Sequence, residues 1–396
     1  MLKGKTIFML SLMKFDGLAS SNFTIAKYLA KENDVYYIEH PLTLKDYLKL
    51  SKKSDAYKIR RSGLNIFSDG LLSQKIDGVN IIVSLLVLPS QSLKNQLLLR
   101  MFTWINQKLA IKRIRKVIQK KNITDYIFIN AYDFKYPDIG SRLNPELAVY
   151  YCVDPIPDYD RPFGVMAEEK LVKLSDIVIC TSKALCEEKK LLNKNTYFVP
   201  NGADIVNSNK VGHIQKHVLA ANIQGPVIGY IGAIERRIDF KLIDYITERL
   251  TDYTFLFVGP LYKEYVPAWF FERKNIVYIQ PIPYHEVPEM IKAFDVCMIP
   301  FKKDEISRNI FPLKLFEYLG MGKPVVATDF NIDLAEFSED LVTYNADAAS
   351  FLHSIQVALA ENNTDLKKRR MEVASRNIWS ERADRIMEII ESHLYQ

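Results

Sequence analysis

The stretch Asn309-Ile310-Phe311-Pro312-Leu313-Lys314-Leu315-Phe316-Glu317-Tyr318-Leu319-Gly320-Met321-Gly322-Lys323-Pro324-Val325-Val326-Ala327 reads as a helix with its start and stop marked, followed by a strand. Pro312 suits the first helical position, where a missing N–H costs nothing. Gly320 and Gly322 suit the C-terminal end, and Pro324 opens a β-branched run. The free N–H groups near Leu313 form a positive helix end that can hold a phosphate, and Lys314 adds a full charge there. Glu317 lies three residues on, on the same face. A carboxylate at that point accepts two hydrogen bonds from a vicinal diol such as a ribose. The same spacing also describes a surface helix with a Lys–Glu pair.

The alternation continues outward on both sides. Upstream, apolar strands are predicted at 227–231, 254–258, 276–279 and 296–300, with helices at 239–250, 286–293 and 313–321, and a further strand at 324–327. Before a polar, aperiodic stretch at 204–224, strands are predicted at 6–13, 35–39, 79–88, 126–130, 148–153 and 177–181, while 43–78 has no clear period. From 347 to 394 the pattern is helical. Short apolar strands separated by helices predict an α/β fold of two doubly wound parallel-sheet domains facing a central cleft. Their boundaries are expected at 1–204 and 205–375, with a final helix at 376–396 packing back toward the first domain. Ligands are then expected beyond the carboxyl ends of the strands.

The length of 396 residues fits two domains. Four cysteines, with no CxxC pair and no histidine at zinc spacing, argue against a disulfide scaffold or a structural zinc and fit a reducing, cytoplasmic setting. No apolar run is long enough for a membrane span. The charge is lopsided: residues 1–200 hold 31 Lys/Arg against 20 Asp/Glu, and residues 201–396 hold 22 against 27. Between Gly78 and Thr124 there are nine basic residues and no acidic one. Positions 98, 101, 102, 105, 109 and 112 follow helical spacing there. Two readings stand: a core-packed helix with a solvated basic face, or a face (92–124) that rests on anionic lipid with Phe102 or Trp104 in the interface. No recognition motif accompanies the basic run, so nucleic acid is not the expected partner.

The opening segment resembles the donor-binding signature of GT-B glycosyltransferases, specifically the large retaining family (family 4-like, glycosyl transferases group 1). The usual form is a Glu, seven residues, a second Glu, then Gly-x-Pro-Val-Val. Here the second Glu is Glu317 and the turn is Gly322 to Val326; Asn309 stands where the first Glu would be, and Pro312 stands within the usual Gly-Phe-Gly-Leu. The form is similar to a subgroup found with teichuronic-acid, capsule and exopolysaccharide synthesis. Val227–Ile231 with Gly232, then Arg236, Arg237 and Asp239, resembles the first strand and basic turn of the donor domain, with Gly232-Ala233 replacing the usual Gly-Arg. Phe257-Val258-Gly259-Pro260 resembles the next strand end, and Pro283-Tyr284 a segment flanking the nucleotide pocket.

The resemblance implies a retaining, metal-independent hexosyltransferase with no cofactor. Its implied donor is a UDP- or GDP-linked sugar, and its implied acceptor a saccharide or polyprenyl-pyrophosphate-linked saccharide at the inner face of the cytoplasmic membrane. It implies that Arg236, Arg237 and Lys314 stabilise the departing diphosphate, that Glu317 holds the ribose, and that Asn309 meets sugar hydroxyls. Gly232, Gly259, Phe311 and Leu313 line the donor site on this reading, and Asp16 and Gly17 approach it from the first loop. Asp154 orients the sugar or, for an inverting enzyme, acts as general base; it also suits a plain Asp-Pro turn. Asp158 and Asp160 are expected to be solvated. The alternative is a catalytically inactive nucleotide-sugar-binding partner. A sugar-nucleotide epimerase of the same fold is a third reading, with little histidine to support it.

Overall fold

Runs such as Ile7-Phe8-Met9-Leu10 and Phe255-Leu256-Phe257-Val258 are apolar on both faces and fully buried, the pattern of strands covered by helices on either side. The computed structural model describes residues 3–16, 21–50, 52, 54–90, 95–157 and 161–395. The chain divides into two compact units: unit 1 comprises Met1–Pro200 with Arg382–Gln396, and unit 2 comprises Asn201–Glu381. The chain re-enters unit 1 inside the helix Trp379–Leu394.

Unit 1 holds a seven-stranded parallel sheet: β1 (Thr6–Ser11), β2 (Asp34–Glu39), β3 (Asn80–Ile82), β4 (Ile127–Ala131), β5 (Leu147–Cys152), β6 (Ile177–Cys180) and β7 (Thr196–Phe198), in the order β3-β2-β1-β4-β5-β6-β7. Unit 2 holds six parallel strands: β8 (Val227–Ile231), β9 (Thr254–Val258), β10 (Ile276–Ile279), β11 (Val296–Ile299), β12 (Val325–Thr328) and β13 (Val342–Asn345), in the order β10-β9-β8-β11-β12-β13. Both sheets are doubly wound, as the alternation predicts. Strand order reverses between β1 and β4 in unit 1 and between β8 and β11 in unit 2. Such switch points open a crevice at the carboxyl ends.

Two expectations for unit 1 are corrected. The strand expected at 79–88 is only three residues long, Asn80–Ile82. Beyond it the chain stays largely buried, but its amides turn elsewhere: Val83 donates to Gly70, Leu86 to Gly63 and Val87 to Leu42. The aperiodic 43–78 segment supplies the Gly63 and Gly70 carbonyls and folds into short helices Leu44–Lys49 and Asp55–Arg60 beside the sheet edge.

The basic helix, Gln96–Lys121, is rotated from the face its apolar residues suggest. Its buried side carries Thr103, Asn106, Gln107, Ala110, Ile111, Arg113, Ile114 and Val117, while Leu97, Leu98, Met101 and Trp104 are exposed. Polar residues set the phase. Asn106 bonds both the amide and the carbonyl of Leu88 at 2.9 Å. Buried Arg113 donates to the carbonyls of Ser62, Asn65 and Ser68. Arg115 caps Arg142, Lys116 caps Ile66 and Phe67, and Lys120 pairs with Asp69. Much of the basic run therefore ties the helix to neighbouring loops. No helix among the described residues is long and apolar enough to cross a membrane.

Candidate functional site

At the switch point of unit 2, β8 ends in Gly232 and β9 in Gly259, with φ of 138° and 137°. Only glycine takes such a backbone without strain, and space demands it as well. A β-carbon on Gly259 would strike the carbonyl oxygen of Gly232, and one on Gly232 would lie 2.6 Å from Nζ of Lys314. The Gly232 amide bonds the Val258 carbonyl at 2.8 Å, locking the two strand ends side by side. Lys314, in the first turn of the helix Leu313–Gly320, thus hangs over bare backbone.

The Lys314 ammonium lies 4.2 Å from the ring centre of Tyr230 and 5.0 Å from that of Phe301, just past β11. It donates to Tyr230 Oη at 2.9 Å, and that hydroxyl donates on to the Ala233 carbonyl at 2.9 Å. Burial, reinforced by the Arg237 cation nearby, pushes Lys314 down to about 7. Arg237 is paired with Glu235, and its guanidinium lies 5.6 Å from the Phe301 ring centre. Arg236 is half-buried in the same turn. Two cations and a helix N-terminus without a side-chain cap converge where the strand order reverses. That arrangement suits a multiply charged anion.

One turn along the helix, Glu317 is half-buried and accepts a hydrogen bond from the Tyr284 hydroxyl at 2.7 Å. Burial raises its pKa, and the tyrosine bond and Lys314 oppose the rise. Lys314 and Glu317 do not form the surface pair their spacing allows; each bonds a different tyrosine. The sequence places Tyr284 only in a segment flanking the expected nucleotide pocket and does not name Tyr230 as a site residue. Tyr230 carries a weak signal, a hydroxyl inside an otherwise aliphatic strand.

The other sequence-predicted residues have different placements. Pro312 is the N-cap and not the first helical residue, and the helix begins at Leu313, which is half-buried. Phe311 is a core side chain, stacked on Phe316 at 5.6 Å and edge-on to Phe337 at 5.2 Å. Asn309 is buried in the turn Ser307–Asn309, and its amide nitrogen donates to the Glu305 carbonyl at 2.7 Å. Asn201 and Asn331 hold the carbonyls of Phe311 and Ile310, at 3.2 and 2.9 Å. The loop carrying the altered signature is therefore fastened by three asparagines.

In unit 1, Asp16 is held by Arg60, which grips both its oxygens at 2.8 and 2.7 Å and both oxygens of Glu39 at 2.7 Å. Arg60 is 2% exposed. The Asp16 carboxylate thus anchors the first loop to Arg60 while a third of its side chain stays open to solvent. Its Arg60 bonds outweigh burial and lower its pKa. Gly17, Asp158 and Asp160 lie outside the described residues. Asp154 is half-buried, two residues beyond β5. The sequence reading also missed a pair at this unit's switch point: His40, just past β2, donates from Nδ1 to Asp133, just past β4, at 2.9 Å. Asp133 is fully buried and His40 stacks on Tyr136 at 5.3 Å.

Comparison with known proteins bears on unit 2 first. Residues 225–361 match the family described as Glycosyl transferases group 1. A putative teichuronic acid biosynthesis glycosyltransferase, TuaH, from Bacillus subtilis is 29% identical over 218 residues, 49% of this chain and 53% of the relative, so the match spans about half the relative's length. Among solved structures, sucrose-phosphate synthase from Thermosynechococcus elongatus has a TM-score of 0.69 at 15% identity, covering 99% of both chains. HepE from Anabaena in complex with UDP has a TM-score of 0.65 at 16% identity, covering 98% of this chain and all of the other. At such identities these likenesses show the fold, two parallel-sheet α/β domains of the GT-B kind. Unit 2 of this chain thus carries a Glycosyl transferases group 1 domain, spanning residues 225–361 and holding the Gly232–Lys314 cluster.

Proposed function

We propose that this chain is a glycosyltransferase that moves a hexose-type sugar from a nucleoside diphosphate sugar, UDP- or GDP-linked, to a saccharide or polyprenyl-pyrophosphate-linked acceptor in cell-surface polysaccharide synthesis. The observation that carries the reading is the Lys314 ammonium poised over Gly232, with Arg237 beside it and Glu317 one turn on. A diphosphate meets Lys314, Arg236 and Arg237, which stabilise the charge that grows on it as the sugar departs, without a metal or other cofactor. A ribose diol meets Glu317. The family match of residues 225–361 and the name of the Bacillus relative favour transfer chemistry in surface-polymer synthesis. The UDP and UDP-glucose named for the Anabaena structures favour a uridine nucleotide.

In unit 1, Asp154 serves the donor sugar or the acceptor hydroxyl. With retention of configuration the leaving phosphate takes the acceptor proton and Asp154 orients the sugar; with inversion Asp154 is the base that serves the acceptor hydroxyl. The exposed Leu97, Leu98, Met101 and Trp104, with Lys108 and Lys112 on the same helix, suit peripheral contact with the anionic inner face of the cytoplasmic membrane.

Calorimetric titration with UDP and GDP, without metal, tests the donor site. One nucleotide is expected to bind, with binding lost in Glu317→Ala; failure of both overturns the reading. Transfer from sugar nucleotides of that base then tests catalysis. A second reading, a nucleotide-sugar-binding partner without turnover, is favoured by Asn309, which replaces a carboxylate and has one amide N–H engaged by the Glu305 carbonyl. Nucleotide binding with no transfer and no donor hydrolysis would establish it.

A further inference from the structure

Tyr284 lies in the turn Tyr284–Glu286 that follows β10, with Pro283 before it and the Glu286 amide bonded to the Pro283 carbonyl at 2.9 Å. Its hydroxyl reaches Glu317 Oε1 at 2.7 Å, while the residue as a whole is 41% exposed. This is an unusual division for a tyrosine. The polar tip is engaged by a half-buried carboxylate, while the residue as a whole keeps a solvent-facing surface.

The consequence for Glu317 is geometric. An ionised carboxylate has about four lone-pair sites. Tyr284 takes one on Oε1 and fixes the side-chain torsions. Oε2 and the remaining site on Oε1 are left for donors such as the two hydroxyls of a ribose. Lys314 would otherwise be the natural partner of Glu317, but Tyr230 and Phe301 hold it. Two tyrosines therefore hold the amine and the carboxylate of one helical turn apart, and neither is spent on a hydrogen bond to the other.

We propose that Tyr284 is a positioning and specificity residue of the donor site: its hydroxyl presents Glu317 to the ribose diol, and its ring is a stacking surface for the nucleoside. The proposal rests on the donor-site reading above. Base–aromatic stacking tolerates any base, so the residue selects for ribose over deoxyribose and not for one base over another.

The test uses the full chain and whichever of UDP and GDP binds it, together with that nucleotide's 2′-deoxy form. The wild type is expected to prefer the ribonucleotide. Tyr284→Phe keeps the ring and loses the hydroxyl, so affinity for the ribonucleotide should fall about 5–10-fold, the size of one hydrogen bond. The deoxynucleotide should weaken less, and the ribo/deoxy ratio should shrink. Tyr284→Ala should weaken both nucleotides by a further ~10-fold or more through lost stacking. Thermal melts of both variants should match the wild type, because the residue is exposed.

If the wild type binds neither nucleotide, the donor-site reading itself fails. If it binds and Tyr284→Phe leaves both affinities and their ratio unchanged, or lowers both equally, Tyr284 does not present Glu317 to the diol and the proposal falls while the donor site stands. If Tyr284→Ala is no weaker than Tyr284→Phe, the stacking role is overturned.

Discussion

The β-carbon that Gly232 lacks would lie 2.6 Å from Nζ of Lys314. The backbone at the end of β8 and a side chain from a helix 82 positions later are thus fitted to each other, at the point where the sheet of unit 2 reverses direction. Gly232→Ala is expected to move the ammonium and strain a backbone at φ 138°. Nucleotide affinity should fall at least ~10-fold, and stability by more than the ~1 kcal/mol associated with a compatible Gly-to-Ala change, of opposite sign. Calorimetry and urea unfolding read the two effects separately.

Lys314 supplies a pH signature. Its pKa in the free protein is about 7, against ~10.4 in an unfolded chain. Between those values the unfolded state binds the extra proton, so the Lys314 contribution makes stability rise with pH across that window. A bound diphosphate favours the ammonium, and binding must then take up a proton. Affinity for the nucleoside diphosphate should therefore weaken from pH 7 toward 9, by at most ~10-fold per unit. The groups around the ammonium are Tyr230, Arg237, Glu235 and Glu317. Calorimetry in buffers of different ionisation enthalpy should detect proton uptake in the wild type, and Lys314→Arg should abolish it.

Arg60 and Glu39 form a buried pair that reaches out to the solvent-exposed Asp16. Arg60→Ala leaves Glu39 buried without a counter-charge and should cost ~3–5 kcal/mol. Burial already raises the Glu39 pKa with Arg60 present. Without Arg60 the carboxyl should hold its proton in the folded state well above the pH at which the unfolded chain loses it, so the variant should lose stability as pH rises. Urea melts at pH 5.5 and pH 8 should show a lower midpoint at pH 8; equal midpoints would contradict the assignment.

The helix Gln96–Lys121 separates structural from surface charge. Arg113→Met strands the carbonyls of Ser62, Asn65 and Ser68 and should destabilise unit 1 by about 1–3 kcal/mol. Lys112→Gln combined with Lys108→Gln should change stability by no more than about 0.5 kcal/mol. If the exposed end of this helix meets lipid, the double variant should bind anionic vesicles more weakly in a sedimentation assay. Unchanged binding would remove the membrane contact.

Much of this protein was legible before folding was considered. Alternating apolar strands and helices determined two parallel α/β units, because a strand buried on both faces must be apolar throughout and a crossover needs a helix. The helix at 313–320 announced itself through Pro312, Gly320 and Gly322, local signals that act within one turn. Lys314 and Glu317 stood out as a candidate pair because both belong to that same helix. Tertiary structure alone decided which groups hold them. Tyr230, Tyr284 and Phe301 come from strands and turns far apart in the chain, and nothing local marks them as partners. It also decided that Asp16 is an anchor, since its fate depends on Arg60, 44 residues away. Likewise, the buried side of the basic helix turned on Asn106 and Arg113, polar residues whose cost of burial is met by carbonyls of another segment. Periodicity measures apolar surface. It carries no record of which distant backbone atoms will satisfy a buried polar side chain, and that information exists only once the chain has closed on itself.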